Sequence, residues 1–190
     1  MFKTCALTLV SALLMAGASQ AGIITAFTNL SAANEIPTNP STATGMATVT
    51  VDTVLNTMRV QVTYSGLTST VTGAHIHCCV PQPANTNVAT AIPVFPGFPT
   101  TTSGTYDQIL DLTLASNYNP TFIGAGTVAQ AEAALINGIA TGQTYLNIHT
   151  QTNGGGEIRG VLAAVPEPGT TTLMTAGLGL ILLAWRRRRV

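Results

Sequence analysis

Along most of the middle of the chain, apolar and polar residues alternate with a period of two. Met58, Val60, Val62 and Tyr64 alternate with Arg59, Gln61 and Thr63, the pattern of a strand with one buried face. Residues 44–51 do the same, with Ala47, Val49 and Val51 on one side and Met46, Thr48 and Thr50 on the other. Residues 52–57 then join the two as a hairpin, and Gly66 ends the second strand. Further strands are predicted over residues 23–30, 71–79, 105–114, 144–150 and 157–163. The last two are joined by the turn Asn153-Gly154-Gly155-Gly156. Residues 81–99 carry five prolines and predict a long irregular excursion, of a kind that is usually functional or mobile. One segment has a helical period instead. Thr127 can cap a helix with Val128, Ala131, Leu135 and Ile139 on one stripe, and Gly142 stops it. The pattern predicts an all-β fold, a β-sandwich of about seven strands, with one short helix packed across an opening.

The two ends break this rhythm. Lys3 supplies a positive start, residues 7–16 are apolar, and Ser19-Gln20-Ala21 offers small residues where a signal peptidase reads. Residues 1–21 are therefore expected to be a signal peptide. The apolar run is short for an anchor, since a span takes ~20 residues. At the other end, Val165-Pro166-Glu167-Pro168-Gly169 precedes 16 uncharged residues, 170–185, and then Arg186 to Arg189. That run is near the lower limit for a transmembrane helix. Its basic flank stays cytoplasmic, so the domain lies outside, and Trp185 suits the interface. Motif, helix and basic tail in this order resemble the PEP-CTERM sorting signal, here residues 165–190. The resemblance implies recognition by an exosortase-type membrane protease. It also implies a Gram-negative host, often one that makes exopolysaccharide and biofilm, and passage from an inner-membrane-anchored precursor to the outer envelope or the extracellular space.

Composition sharpens the picture. Only 7% of residues are charged, although 46% are hydrophobic, against ~25% charged in typical soluble domains. Between the ends, two arginines face six carboxylates, a net of −4 with no lysine. Such a domain makes a poor nucleic-acid binder, because phosphate contacts need a basic surface. Threonine, which favours strands, occupies 26 of these 144 positions. Cys5 leaves with the signal peptide. Cys78 and Cys79 remain, in an export route where disulfides persist.

Several blocks resemble the CHRD (chordin) domain. Leu30-Ser31-Ala32-Ala33-Asn34-Glu35-Ile36-Pro37 is similar to its opening segment, and Gly45-Met46-Ala47-Thr48-Val49 to a Gly-x-Ala strand. Gly73-Ala74-His75-Ile76-His77 resembles its Ala-His-Ile-His strand. Tyr145-Leu146-Asn147-Ile148-His149-Thr150 and Gly156-Glu157-Ile158-Arg159-Gly160 resemble its closing hairpin. The domain is assigned residues 22–164. Cys78 and Cys79 stand where many relatives have glycine, and the Pro-rich excursion exceeds the short form of the repeat. The resemblance implies an immunoglobulin-like/superoxide-dismutase-like β-sandwich without enzymatic activity. Such domains occur in chordin, which binds a secreted growth factor, and in microbial proteins of unknown role.

Alternate residues on a strand share a face, so His75 and His77 point the same way, their Cα atoms about 6.5 Å apart. His149 lies on another predicted strand and can add a third imidazole. Three imidazoles suit zinc or copper. The H-x-H strand also resembles that of copper/zinc superoxide dismutase, an analogy of fold. Cys79 continues the histidine face and could add a thiolate. The alternative is a hydrogen-bonded network in which the histidines and a structural ion pair, Glu157 with Arg159, fasten one hairpin to another. Cys78 and Cys79 are open to three readings: a mutual disulfide, a bridge to another chain, or thiols on a metal.

Two function classes remain. One is a non-enzymatic binding or structural module of the envelope or matrix, with exopolysaccharide or an extracellular protein as partner besides the sorting protease. The other is a copper- or zinc-binding, or redox, β-sandwich using His75, His77 and His149. Catalysis is disfavoured, since no nucleophile–base–orienter set is visible and no serine sits in a Gly-x-Ser-x-Gly turn.

Overall fold

A computed structural model describes residues 22–165. The signal-peptide and transmembrane-helix assignments, with Pro166, Glu167 and Pro168, lie outside the described residues. The alternating segments form β1 (Ile23–Ser31), β2 (Thr44–Asp52), β3 (Thr57–Ser65), β4 (Val71–Cys78), β5 (Gly104–Asp111), β6 (Thr144–Thr150), β7 (Ile158–Val161) and the two-residue β8 (Ala163–Ala164). They make one antiparallel sheet in the order β4-β6-β7-β1-β2-β3-β5, with β8 beside β1. The sheet curls about its core, the all-β, sandwich-like arrangement that the alternation predicts.

Pairing explains the register. Ala47, Val49 and Val51 of β2 stand opposite Val62, Val60 and Met58 of β3, and all six are buried. Apolar pairs set directly opposite are the units that stabilise a sheet. In the β2–β3 turn, Asp52 Oδ1 accepts the backbone N–H of Val54 and of Leu55, both at 2.9 Å, which fixes the hairpin. β5 ends at Asp111, earlier than the alternation suggests. Leu112 is nevertheless buried, whereas Ile109 and Leu114 are exposed.

The Pro-rich excursion is irregular but tied down. It runs along the outer edge of β4, where Ala74 donates to the Pro93 carbonyl, Phe95 to Ala74, Ala89 to Ile76 and Cys78 to Asn87. It also inserts Phe95 and Phe98 into the core, where they pack on Tyr106 at ring separations of 5.8 and 5.0 Å. An edge that would otherwise expose unpaired backbone groups is thereby covered.

Helix α1 (Pro120–Ile123) is a single turn absent from the sequence reading. Asn119 caps it and proline takes its first position. Helix α2 (Val128–Ala140) opens with a capping box. Thr127 Oγ1 accepts the Gln130 N–H at 3.2 Å, while Gln130 Oε1 accepts the Thr127 N–H at 2.9 Å. Ala131, Leu135, Gly138 and Ile139 form its buried face. Gly142, at φ 69°, turns the chain out of the helix.

Gly138 is where α2 meets β4. A methyl group there would sit 2.5 Å from Cys78 Sγ, 3.1 Å from Cys79 Sγ and 3.0 Å from Thr144 Cγ2. The helix must lift to accept it. Gly138→Ala is expected to lower unfolding free energy by about 1–3 kcal/mol, the usual cost of overpacking. Urea denaturation checks this, and an unchanged midpoint would show that α2 docks elsewhere.

Candidate metal centre

β4 and β6 are buried on both faces at one end of the sheet. Ala74, Ile76, Leu146 and Ile148 line the apolar core. The opposite face carries His75 and His77 from β4, and Tyr145, Asn147 and His149 from β6. The register sets His77 opposite Tyr145, His75 opposite Asn147 and His149 opposite Gly73. Gly73 leaves room where a side chain would stand. A Cβ there would lie 3.1 Å from His149 Cδ2 and 3.2 Å from His75 Nε2. The imidazole of His149 occupies that room and reaches His75, with ring centroids 4.7 Å apart. His75 and His77 are 4.8 Å apart, His77 and His149 6.0 Å. These are all the histidines of the chain.

Backbone carbonyls fix two of the rings. His77 Nδ1 lies 2.7 Å from the Thr86 carbonyl, and His149 Nδ1 3.0 Å from the Gly154 carbonyl. A carbonyl can only accept, so each Nδ1 carries the proton and each Nε2 presents a lone pair. Burial pushes His75 down to about 3, with His149 and His77 adding to the effect. Burial likewise pushes His77 down to about 4, against the opposing pull of the Thr86 carbonyl. His149 is lowered by burial too, with the Gly154 carbonyl opposing. At neutral pH the three rings are uncharged. His75 Nδ1, His77 Nε2 and His149 Nε2 are buried and have no hydrogen-bond partner among the described residues. Each histidine offers a nitrogen within 4.8 Å of the other two. Buried polar nitrogens are normally satisfied, and here three adjacent rings each keep one buried nitrogen without a protein partner among the described residues.

A polar shell braces the rings. Tyr145 stacks on His77 at 4.5 Å and 8°, and the Arg159 guanidinium lies 4.7 Å from the Tyr145 ring centre. Arg159 donates to the Asn34 carbonyl at 2.5 Å and to Asn85 Oδ1 at 2.6 Å, and it faces Glu35 Oε2 at 3.9 Å. The expected ion pair of Glu157 with Arg159 is not formed. Glu157 sits in a bend before β7, and its carboxylate accepts from Ser41 Oγ, Thr68 N and Oγ1, and Thr150 Oγ1 at 2.5–2.8 Å. Burial alone would raise the Glu157 carboxyl, but these donors hold it below its ordinary value. Arg159 is paired with Glu35, which the sequence reading quoted only as part of an opening segment. Burial drives the Glu35 carboxyl up to about 7, against Arg159 and an Asn147 hydrogen bond.

The cysteines lie apart from this shell. Cys78 is joined to Cys79, so Cys79 offers no thiolate. Both sulfurs rest against the Ala134 carbonyl of α2, at 3.8 and 3.4 Å, as contacts without a donated hydrogen. Val165 ends the described chain with its N–H bonded to the Thr25 carbonyl at 2.8 Å.

Histidines that fold uncharged take up protons when the chain unfolds in acid. His75 and His77 fall from 6.5 to about 3 and about 4. Below pH 6.5 the unfolded chain therefore binds more protons, and stability drops as pH falls toward 4. Glu35 acts oppositely. Raised from 4.5 to about 7, it favours the folded state at low pH and weighs against it as pH rises through that window. In metal-free protein the urea midpoint is expected to fall between pH 6.5 and 4. The fall is steeper in Glu35→Gln and shallower in His77→Gln. A flat profile in the parent protein would show that the rings are not buried uncharged.

Residues 26–162 match the family model of the CHRD domain, and residues 164–189 match the PEP-CTERM protein-sorting motif. No curated protein and no solved structure matches the chain. The sorting motif marks an exported protein held in the membrane until an exosortase-type system processes it. The domain match takes in all three histidines and the strands β2 to β7 entire, over well more than half of the sequence, and the chain belongs to the CHRD domain family.

Proposed function

We propose that this exported protein is a non-enzymatic metal-binding module of the outer envelope or extracellular matrix, with His75, His77 and His149 as its ligands. One observation carries the reading: three uncharged imidazoles converge, and each keeps one buried ring nitrogen without a partner among the described residues. A fastening network, the alternative, would leave those nitrogens hydrogen-bonded to one another or to the acids nearby. Instead Glu157 is taken up by hydroxyl and amide donors, and Arg159 by Asn34, Asn85 and Glu35. The chemistry of the donor set fits copper or zinc, for which imidazole is a common ligand. Binding rather than turnover fits a site whose charged neighbours are committed to holding loops in place. After sorting, the module works beside exopolysaccharide or extracellular proteins.

Two measurements test this. Tag-free full chain, purified in detergent, is expected to bind one copper or zinc ion per molecule by elemental analysis. His77→Ala is expected to lose that ion. Absence of metal after loading with either, in protein that is folded by circular dichroism, would leave a structural role for the histidines. Separately, deletion of residues 165–190 is expected to change the protein's final location on cell fractionation. An unchanged location would remove the sorting role of that segment.

A further inference from the structure

The metal centre proposed above leaves open which ion it takes, and the pocket itself constrains the choice. Its donors are three neutral imidazoles. Among the described residues, no carboxylate or thiolate joins the cluster. Cys79 is bonded to Cys78, Glu157 is occupied by four donors, and Glu35 faces Arg159. Among the described residues, Arg159 brings its guanidinium over the Tyr145 that stacks on His77, and Glu35 faces that guanidinium at 3.9 Å. The three free nitrogens are withdrawn from solvent.

A dication here would carry its whole charge into a buried pocket with no anionic ligand in the cluster to offset it, beside a guanidinium that faces Glu35. The solvation cost of burying an ion grows with the square of its charge. Zinc almost always completes four ligands, and Cu(II) prefers a tetragonal set. Each would need a further ligand, such as a water drawn into the pocket, beyond the three imidazoles. Monovalent copper has a filled d shell, carries half the charge, and is satisfied by two or three donors. A metal–nitrogen bond of ~2.0–2.1 Å requires the nitrogens, now within 4.8 Å of one another, to draw closer. His149 is the ring able to do so. It is the only partly exposed one, and it is held at Nδ1 by the glycine-rich β6–β7 turn.

We propose that the centre takes Cu(I), bound by one ring nitrogen of His75 together with His77 Nε2 and His149 Nε2 in a three-coordinate, all-nitrogen arrangement. The inference rests on the metal-centre reading and goes beyond it.

The test uses the tag-free full chain in a Cys5→Ser background, so that no thiol outside the centre competes. Under anaerobic conditions Cu(I) is titrated against a chromophoric Cu(I) chelator, and Zn(II) and Cu(II) are titrated in parallel. One Cu(I) per chain is expected, retained in excess Zn(II). His75→Ala and His77→Ala should each weaken Cu(I) binding by more than the ~100-fold that disturbing a ligand's outer support costs. Because those variants could misfold, X-ray absorption of the copper-loaded parent gives an independent readout, with three nitrogen neighbours and no sulfur expected. Equal or tighter binding of Zn(II) or Cu(II), a fourth ligand, or a sulfur neighbour would overturn the Cu(I) assignment while leaving a metal centre. No binding of any of the three ions would overturn the metal-centre reading itself.

Discussion

The structure depends on the register in which β6 lies against β4. Strand side chains have a period of two, so a slip of one residue would send His149 to the core side and Leu146 and Ile148 to the polar face. The apolar face resists that slip, because Ala74, Ile76, Leu146 and Ile148 are fully buried together. Hydrophobic burial on one side of the strand pair thus positions the imidazoles on the other. Gly73 completes the arrangement by giving its place to the ring of His149.

A polar face that is also buried needs cover, and the cover comes from remote parts of the chain. The Pro-rich excursion brings the Thr86 carbonyl and Asn85, the segment after β1 brings Asn34 and Glu35, and the β6–β7 turn brings Gly154. Arg159 gathers the first two. Its guanidinium reaches Asn34 and Asn85 from a single position on β7, so one side chain ties two loops to the sheet. Glu157, two residues earlier, does the same for Ser41, Thr68 and Thr150. The two charged residues of this short strand region act as separate clasps, each with its own set of partners.

Much of this was legible in the sequence where the signal is local. The alternation in β2 and β3 marks the buried residues of both strands, and Thr127, Gln130 and Gly142 bracket α2 through backbone chemistry confined to a few positions. The shared face of His75 and His77 follows from the strand period alone. What escaped was set by long-range competition. Arg159 has two acidic candidates within reach of its sheet end. Glu35 becomes its partner because the hydroxyls of Ser41, Thr68 and Thr150 claim Glu157 first, which no local pattern encodes. The edge pairing of the Pro-rich excursion was hidden for a related reason. It is made by main-chain groups, and proline content speaks of which bonds are lost, not of which remain.

The centre draws on residues from Glu35 to Arg159, and its cover comes from three separate loops. A growing or partly folded chain therefore holds its histidines as isolated rings, unable to grip an ion jointly. If the centre holds an ion as proposed, capture would wait until the last strands have joined the sheet, and the compartment in which folding finishes would be the one whose metal supply decides what is bound.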